Sequence, residues 1–415
     1  MHTEENPMTA KRPVTTQKWR ALLLIAVAEL LVMSLWFSVT ASAPELAMAW
    51  NLTPTETAWL TIAVQLGFVV GALLSAVLTL PDLVRPRYLV AGSAMLGAGA
   101  TATIAGVVTT PIPAIALRFV TGMALAGVYP PGMKMMSGWF RTNRGFAIGV
   151  LVGALTVGSA LPHLIRGIGG VGQPAVVLYG SAGLAVLGGL LVLLVGDGPY
   201  QSPTAPFDPR AVRRLLADRA SLLANGGYFG HMWELYAVWT WIPTYLLASF
   251  AVNGTAVSSE LTSILAFCTI AIGGVGAMAA GVLADRLGRT AVTSASMAVS
   301  GFACISAGVV FGSSLFVIVP FLLVWGFAIV ADSAQFSTCI TELAEPSYVG
   351  TALTLQTAIG FLLTTVSIQS IPLVASFVGW RWAFASLAIG PTLGTLAMLR
   401  LRVLPDAEKL AGGNR

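Results

Sequence analysis

The chain has 415 residues, 56% of them hydrophobic and only 9% charged, with a mean hydropathy of +0.83. A soluble domain carries about a quarter of its residues as Asp, Glu, Lys or Arg, so 17 acids and 22 bases exclude a soluble protein of this size. Disorder requires the opposite composition, which leaves a packed polytopic membrane protein.

One spanning helix takes about 20 apolar residues, and the apolar runs predict twelve. They lie at 20–43, 57–80, 87–108, 112–138, 145–166, 174–196, 220–249, 260–284, 290–312, 315–341, 348–375 and 380–400. Residues 1–19 read as a cytoplasmic tail with no cleavable signal pattern, 20–196 as a first six-helix bundle and 220–400 as a second. Between them, 197–219 reads as a cytoplasmic central loop holding four prolines and the basic stretch Arg210–Arg219, and 401–415 as a cytoplasmic C-terminal tail.

Basic residues orient the spans. With the N-terminus inside, eighteen Lys and Arg fall in the inner segments, while the outer loops hold only Arg166 and Arg381. Both termini are therefore expected in the cytoplasm. The net charge of +5 sits beside anionic lipid, and no nucleic-acid partner is needed to explain it. Cys268, Cys304 and Cys339 lie far apart inside apolar runs, as small buried hydrophobes rather than metal ligands or redox pairs.

The halves repeat each other. Arg20–Pro44 parallels Arg219–Pro243 at a constant offset, and the segment starting at Gly71 parallels the one starting at Gly276. Two similar bundles facing each other across a cavity make a transporter more readily than a channel or an enzyme. No G-x-x-x-x-G-K-[ST] loop occurs, which argues against direct use of ATP.

Gly281-Val-Leu-Ala-Asp285-Arg286-Leu-Gly288-Arg289 resembles the loop signature G-x-L-A-D-R-x-G-R of the major facilitator superfamily. The resemblance covers the whole chain and implies twelve helices in two pseudo-symmetric bundles, with Asp285, Arg286, Gly288 and Arg289 as a gating latch. The matching first-half loop, Leu80-Pro-Asp82-Leu-Val-Arg85-Pro-Arg87, lacks the glycines and has its acid displaced. On span four, Arg118 and Gly122 resemble the family's R-x-x-x-G pattern, which implies proton coupling. Span five carries Gly149, Gly153 and Gly158 without the Gly-Pro of the antiporter signature. Spans one, four and seven look most like bacterial nitrate, cyanate and organic-anion permeases.

Ionisable groups inside a bilayer are expensive and mark functional sites by default. Glu29, Arg118, Lys134, His163, His231, Glu234 and Asp332 are the candidates, and all but His163 fall on spans one, four, seven and ten, which line the cavity in the family. The alternative for each is a static helix-to-helix pair. His231 and Glu234 share a helix face and can hold or pass a proton. Glu29 and Lys134 lie at compatible depths for an inner brace, and Asp332 has Gln335 on its face. Trp36, Tyr129, Trp233 and Tyr236 are candidate pocket walls, or belt and packing residues. Pro130-Pro131 and Gly226-Gly227 are candidate hinges.

The expectation is an inner-membrane secondary transporter for a small solute, with protons and the lipid bilayer as its other partners. No cofactor, metal, obligate protein partner or enzymatic step is implied. Arg118 would engage an anion and Glu29, Glu234 or Asp332 would carry the proton in symport. The rival is a proton-coupled exporter of amphipathic or cationic compounds, in which the acids bind substrate.

Overall fold

The computed structural model describes residues 14–140, 144–200, 218–252, 254, 257–345 and 349–414. Lys11, Arg12, Arg141, Arg210, Arg213, Arg214 and Arg415 of the basic set lie outside them, as does most of the central loop.

Ten helical stretches are long and apolar enough to cross a bilayer. The last, Val349–Arg402, turns sharply at Gly379, where φ is 74°, so it holds spans eleven and twelve. Val14–Met33, continued by Ser38–Ala41, supplies the first span, and the total is twelve. Local chemistry sets some of the starts. Span two begins at Pro54 because Thr53 and Glu56 form a reciprocal capping box, which satisfies two otherwise orphaned N–H groups. Span eight begins at Ser259, with the Ser258 hydroxyl accepting from the Leu261 N–H.

Spans four and ten are both broken, and at matching points. Span four is Pro111–Ala126 followed by Tyr129–Trp139, and span ten is Leu315–Ala331 followed by Ser333–Leu343. The repeat thus survives as a pattern of interrupted helices. The bend in span four falls at Gly127-Val128, and Pro130 and Pro131 follow in the first turn of the next segment, where their missing N–H groups leave the Ala126 and Gly127 carbonyls without a helical donor.

Gly226 and Gly227 do not interrupt their helix. Span seven runs unbroken from Arg219 to Val252, and these glycines serve close packing. A Cβ on Gly227 would sit 2.6 Å from the Phe336 ring, and one on Gly230 would sit 2.3 Å from the Gly390 carbonyl.

The halves meet along two seams. Span five packs on span eight through small residues. A Cβ on Gly153 would lie 3.0 Å from the Gly274 carbonyl oxygen, and one on Gly149 would lie 3.3 Å from that of Ala277. Here the backbones themselves approach, as small-residue helix pairs allow in lipid. Span two packs on span eleven through Phe68 and Phe361, ring centroids 4.6 Å apart.

Gly122 on span four is pressed just as closely to span two. A Cβ there would stand 2.1 Å from the Val64 carbonyl, whereas one on Gly183 would meet nothing. Gly122→Ala is expected to lower stability by about 1–3 kcal/mol through overpacking, and Gly183→Ala to leave it unchanged. Thermal unfolding in detergent compares the two.

Candidate functional site

A cavity of about 300 Å³ opens at the end of the molecule that carries the chain termini. Its wall comes from the termini-side ends of spans two, four, ten and eleven, including Ser75, Tyr129, Met133, Lys134, Ser337 and Thr357. Among the described lining residues, Lys134 is the one charged side chain. The rest alternates hydroxyls with small apolar groups, which suits a modest solute with a few hydrogen-bonding atoms.

Beyond the cavity toward the other side, aromatic rings from both halves close the path. Trp36 lies 5.6 Å from Tyr236 and 5.4 Å from Phe361. Phe37 stacks on Tyr236 at 6.1 Å, and Tyr236 meets Trp239 at 5.4 Å. Trp36 and Tyr236 thus belong to the plug and Tyr129 to the cavity wall. Trp233 instead turns to span twelve, where Gly390 leaves room for it.

Arg118 is fully buried but is not among the lining residues. Its Nη1 donates to the Leu35 carbonyl at 2.8 Å and its Nε to the Leu60 carbonyl at 3.2 Å, while Nη2 donates to the Trp36 carbonyl. The Ser38 hydroxyl is 3.4 Å from Nη1. These acceptors surround the point where span one loses its regular helix. The N–H groups of Leu35 and Trp36 reach back only three residues there, a tighter winding that leaves carbonyls exposed. In a bilayer those oxygens need a donor from the protein, and the guanidinium supplies it.

The acids separate into different environments. Glu29 is 2% exposed and neither carboxylate oxygen accepts a hydrogen bond, so no bond joins it to Lys134. It rests against span four at Gly132, where a Cβ would be 2.9 Å from Oε2. That glycine lies one turn after Tyr129 and next to Met133, both of the cavity wall.

Glu234 turns into the second half. Its carboxylate accepts from Ser300 Oγ at 2.8 Å, Cys304 Sγ at 3.2 Å and Trp325 Nε1 at 2.8 Å. The expected His231–Glu234 pair is not formed, because both residues find partners on other helices. His231 Nδ1 stands 2.9 Å from Asp332 Oδ1 at the span-ten break, without hydrogen-bond geometry. His163 is buried near the far end of span five, and its Nε2 lacks a partner.

The loop signature forms a network on the termini side. Gly288 adopts φ 94°, a conformation that favours glycine, and turns the chain so that Arg289 starts span nine. The Arg289 guanidinium grips Glu342 with two bonds of 2.7 Å, reaches Gln335 at 2.9 Å and lies 3.3 Å from Asp285. Arg286 is exposed. Sequence reasoning missed Glu342, whose only signal was an acid in the last turn of span ten.

The sequence profile of the Major Facilitator Superfamily matches residues 25–368 and 224–415. The chain belongs to that superfamily. A curated relative, the MFS-type transporter pytF of Aspergillus terreus, is 28% identical over 178 residues, covering 42% of this chain and 58% of the relative. The chain thus spans little more than half the length of that relative.

Solved structures share the fold. The proton:xylose symporter XylE, bound to a bromo-deoxyglucose, gives a TM-score of 0.73 at 12% identity, covering 94% of this chain and 96% of XylE. A bacterial homologue of the lysosomal transporter Spinster, inward-facing and unoccupied, gives 0.72 at 14%, covering 95% and 100%. The nucleoside transporter NupG gives 0.69 at 16%, covering 92% and 99%.

Because Arg118 supports backbone, Arg118→Gln is expected to lower thermal stability by about 1.5–3 kcal/mol, the worth of charge-assisted hydrogen bonds. A solute contact alone would leave the melting of the unliganded protein unchanged.

Proposed function

We propose that this protein takes up a small anion across the cytoplasmic membrane by proton-coupled symport, with both termini in the cytoplasm. The observation that carries the reading is the cavity wall, where Lys134 is the one charged residue among the described ones. No carboxylate lines the cavity among the described residues, which favours an anion over the amphipathic cations of an exporter. With the cavity open on the termini side and the aromatic plug shut above it, the conformation is inward-facing.

Glu29 is assigned as the proton carrier. An ionised carboxylate buried without a single donor is costly, and this one lies one helical turn from the wall where the solute would sit. Glu234 is held by three donors, which suits a fixed partner better than a group that must load and release a proton, and Asp332 lies beside His231 at the span-ten break, away from the cavity wall. Arg118 supports this cycle by keeping the break in span one, beside the plug, in one shape.

The test is uptake into proteoliposomes under an imposed proton gradient, with nitrate, cyanate and small carboxylates as trial solutes. Lys134→Gln is expected to weaken solute binding about tenfold, as loss of one charge-assisted contact implies. Glu29→Gln should abolish gradient-driven accumulation and leave solute exchange intact. Unchanged affinity in Lys134→Gln, or full accumulation by Glu29→Gln, would overturn the corresponding assignment.

A further inference from the structure

On the side opposite the termini, span five ends in a wound-out turn, Arg166–Gly170, and its first residue is one of the two cations that the charge pattern leaves on that face. Arg166 is 5% exposed and its donors are divided between the two halves. Toward its own half, Nε and Nη2 both reach Glu45 Oε1, at 3.2 and 2.8 Å. That oxygen also accepts the Gly172 N–H at 3.2 Å, which ties the short helix Ala43–Trp50 to the loop after span five.

Toward the other half, Nη1 reaches Ser263 Oγ at 2.5 Å and the Ser259 carbonyl at 3.5 Å, both on the first turns of span eight. Ser263 gives its own proton to the Ser259 carbonyl at 2.8 Å, so toward Arg166 it can only accept. A guanidinium, with donors in a fixed fork and no acceptor, is the group that fits this position.

We infer that Arg166 is a clasp that holds the far side shut, and that breaking its bonds to Ser259 and Ser263 is a required step each time the transporter turns outward. The ion pair with Glu45 lies within one half and moves with it, so the guanidinium stays neutralised while the bundles part. Only the bonds to span eight need to break. A second bond between the halves on the same side, from Gln369 Nε2 to the Thr55 carbonyl at 3.5 Å, has no charge and adds little. The inference rests on the reading above of an inward-facing transporter.

The experiment reads the far side directly and needs no solute, so failure to identify a transported anion does not decide it. Thr55→Cys and Gln369→Cys are introduced together with Cys268→Ser, and a short bifunctional methanethiosulfonate bridges the two new thiols across the halves. Ser263→Ala, which removes the acceptor and leaves the ion pair intact, is expected to slow bridging on the order of tenfold, the weight of one charge-assisted bond. Arg166→Gln should slow it at least as much. Should Arg166→Gln fail to fold, Ser263→Ala decides alone. Bridging at the unmodified rate in a folded Ser263→Ala protein would overturn the clasp.

Discussion

The break in the first span constrains much of the first half. A bilayer offers no water to an exposed carbonyl, yet residues 34–37 leave the regular helix in the middle of the protein. Arg118 resolves this by donating to three main-chain oxygens on two helices. Once that is done, Trp36 and Phe37 are fixed where they meet Phe68, Tyr236 and Phe361, and the path through the centre is closed. A charge that reads in the sequence as a ligand for solute is in the structure a ligand for the chain itself.

Much of the fold is legible in the sequence because the bilayer writes it in bulk. Hydropathy marks spans of the right number, and Gly281–Arg289 points to the family before any coordinates are consulted. The boundaries that moved did so for local reasons. Span two starts at Pro54 because Thr53 caps it, and span four bends at Gly127-Val128, about one turn before Pro130-Pro131.

The site was harder to read. All the candidate ionisable residues but Asp332 lie within helices, but their partners lie on other helices, which no spacing rule reaches. Glu234 and His231 share a face and still part company, one to Trp325 and the other to Asp332. Glu342 escaped notice because it looks like an ordinary acid at a helix end. Its importance comes from Arg289, 53 positions away in sequence. Arg166 was counted only as a loop charge, since nothing in its neighbourhood announces that Glu45 and Ser263 converge on it.

The glycine seam between spans five and eight bears on how the two halves can move. Interlocked side chains must be withdrawn before two helices slide, and each withdrawal is a separate activated event. Where Gly149 and Gly153 face Gly274 and Ala277, main chain lies close against main chain. Such a contact works as a bearing. It lets the halves roll with little side-chain rearrangement, and leaves the timing of the motion to the polar contacts at its two ends.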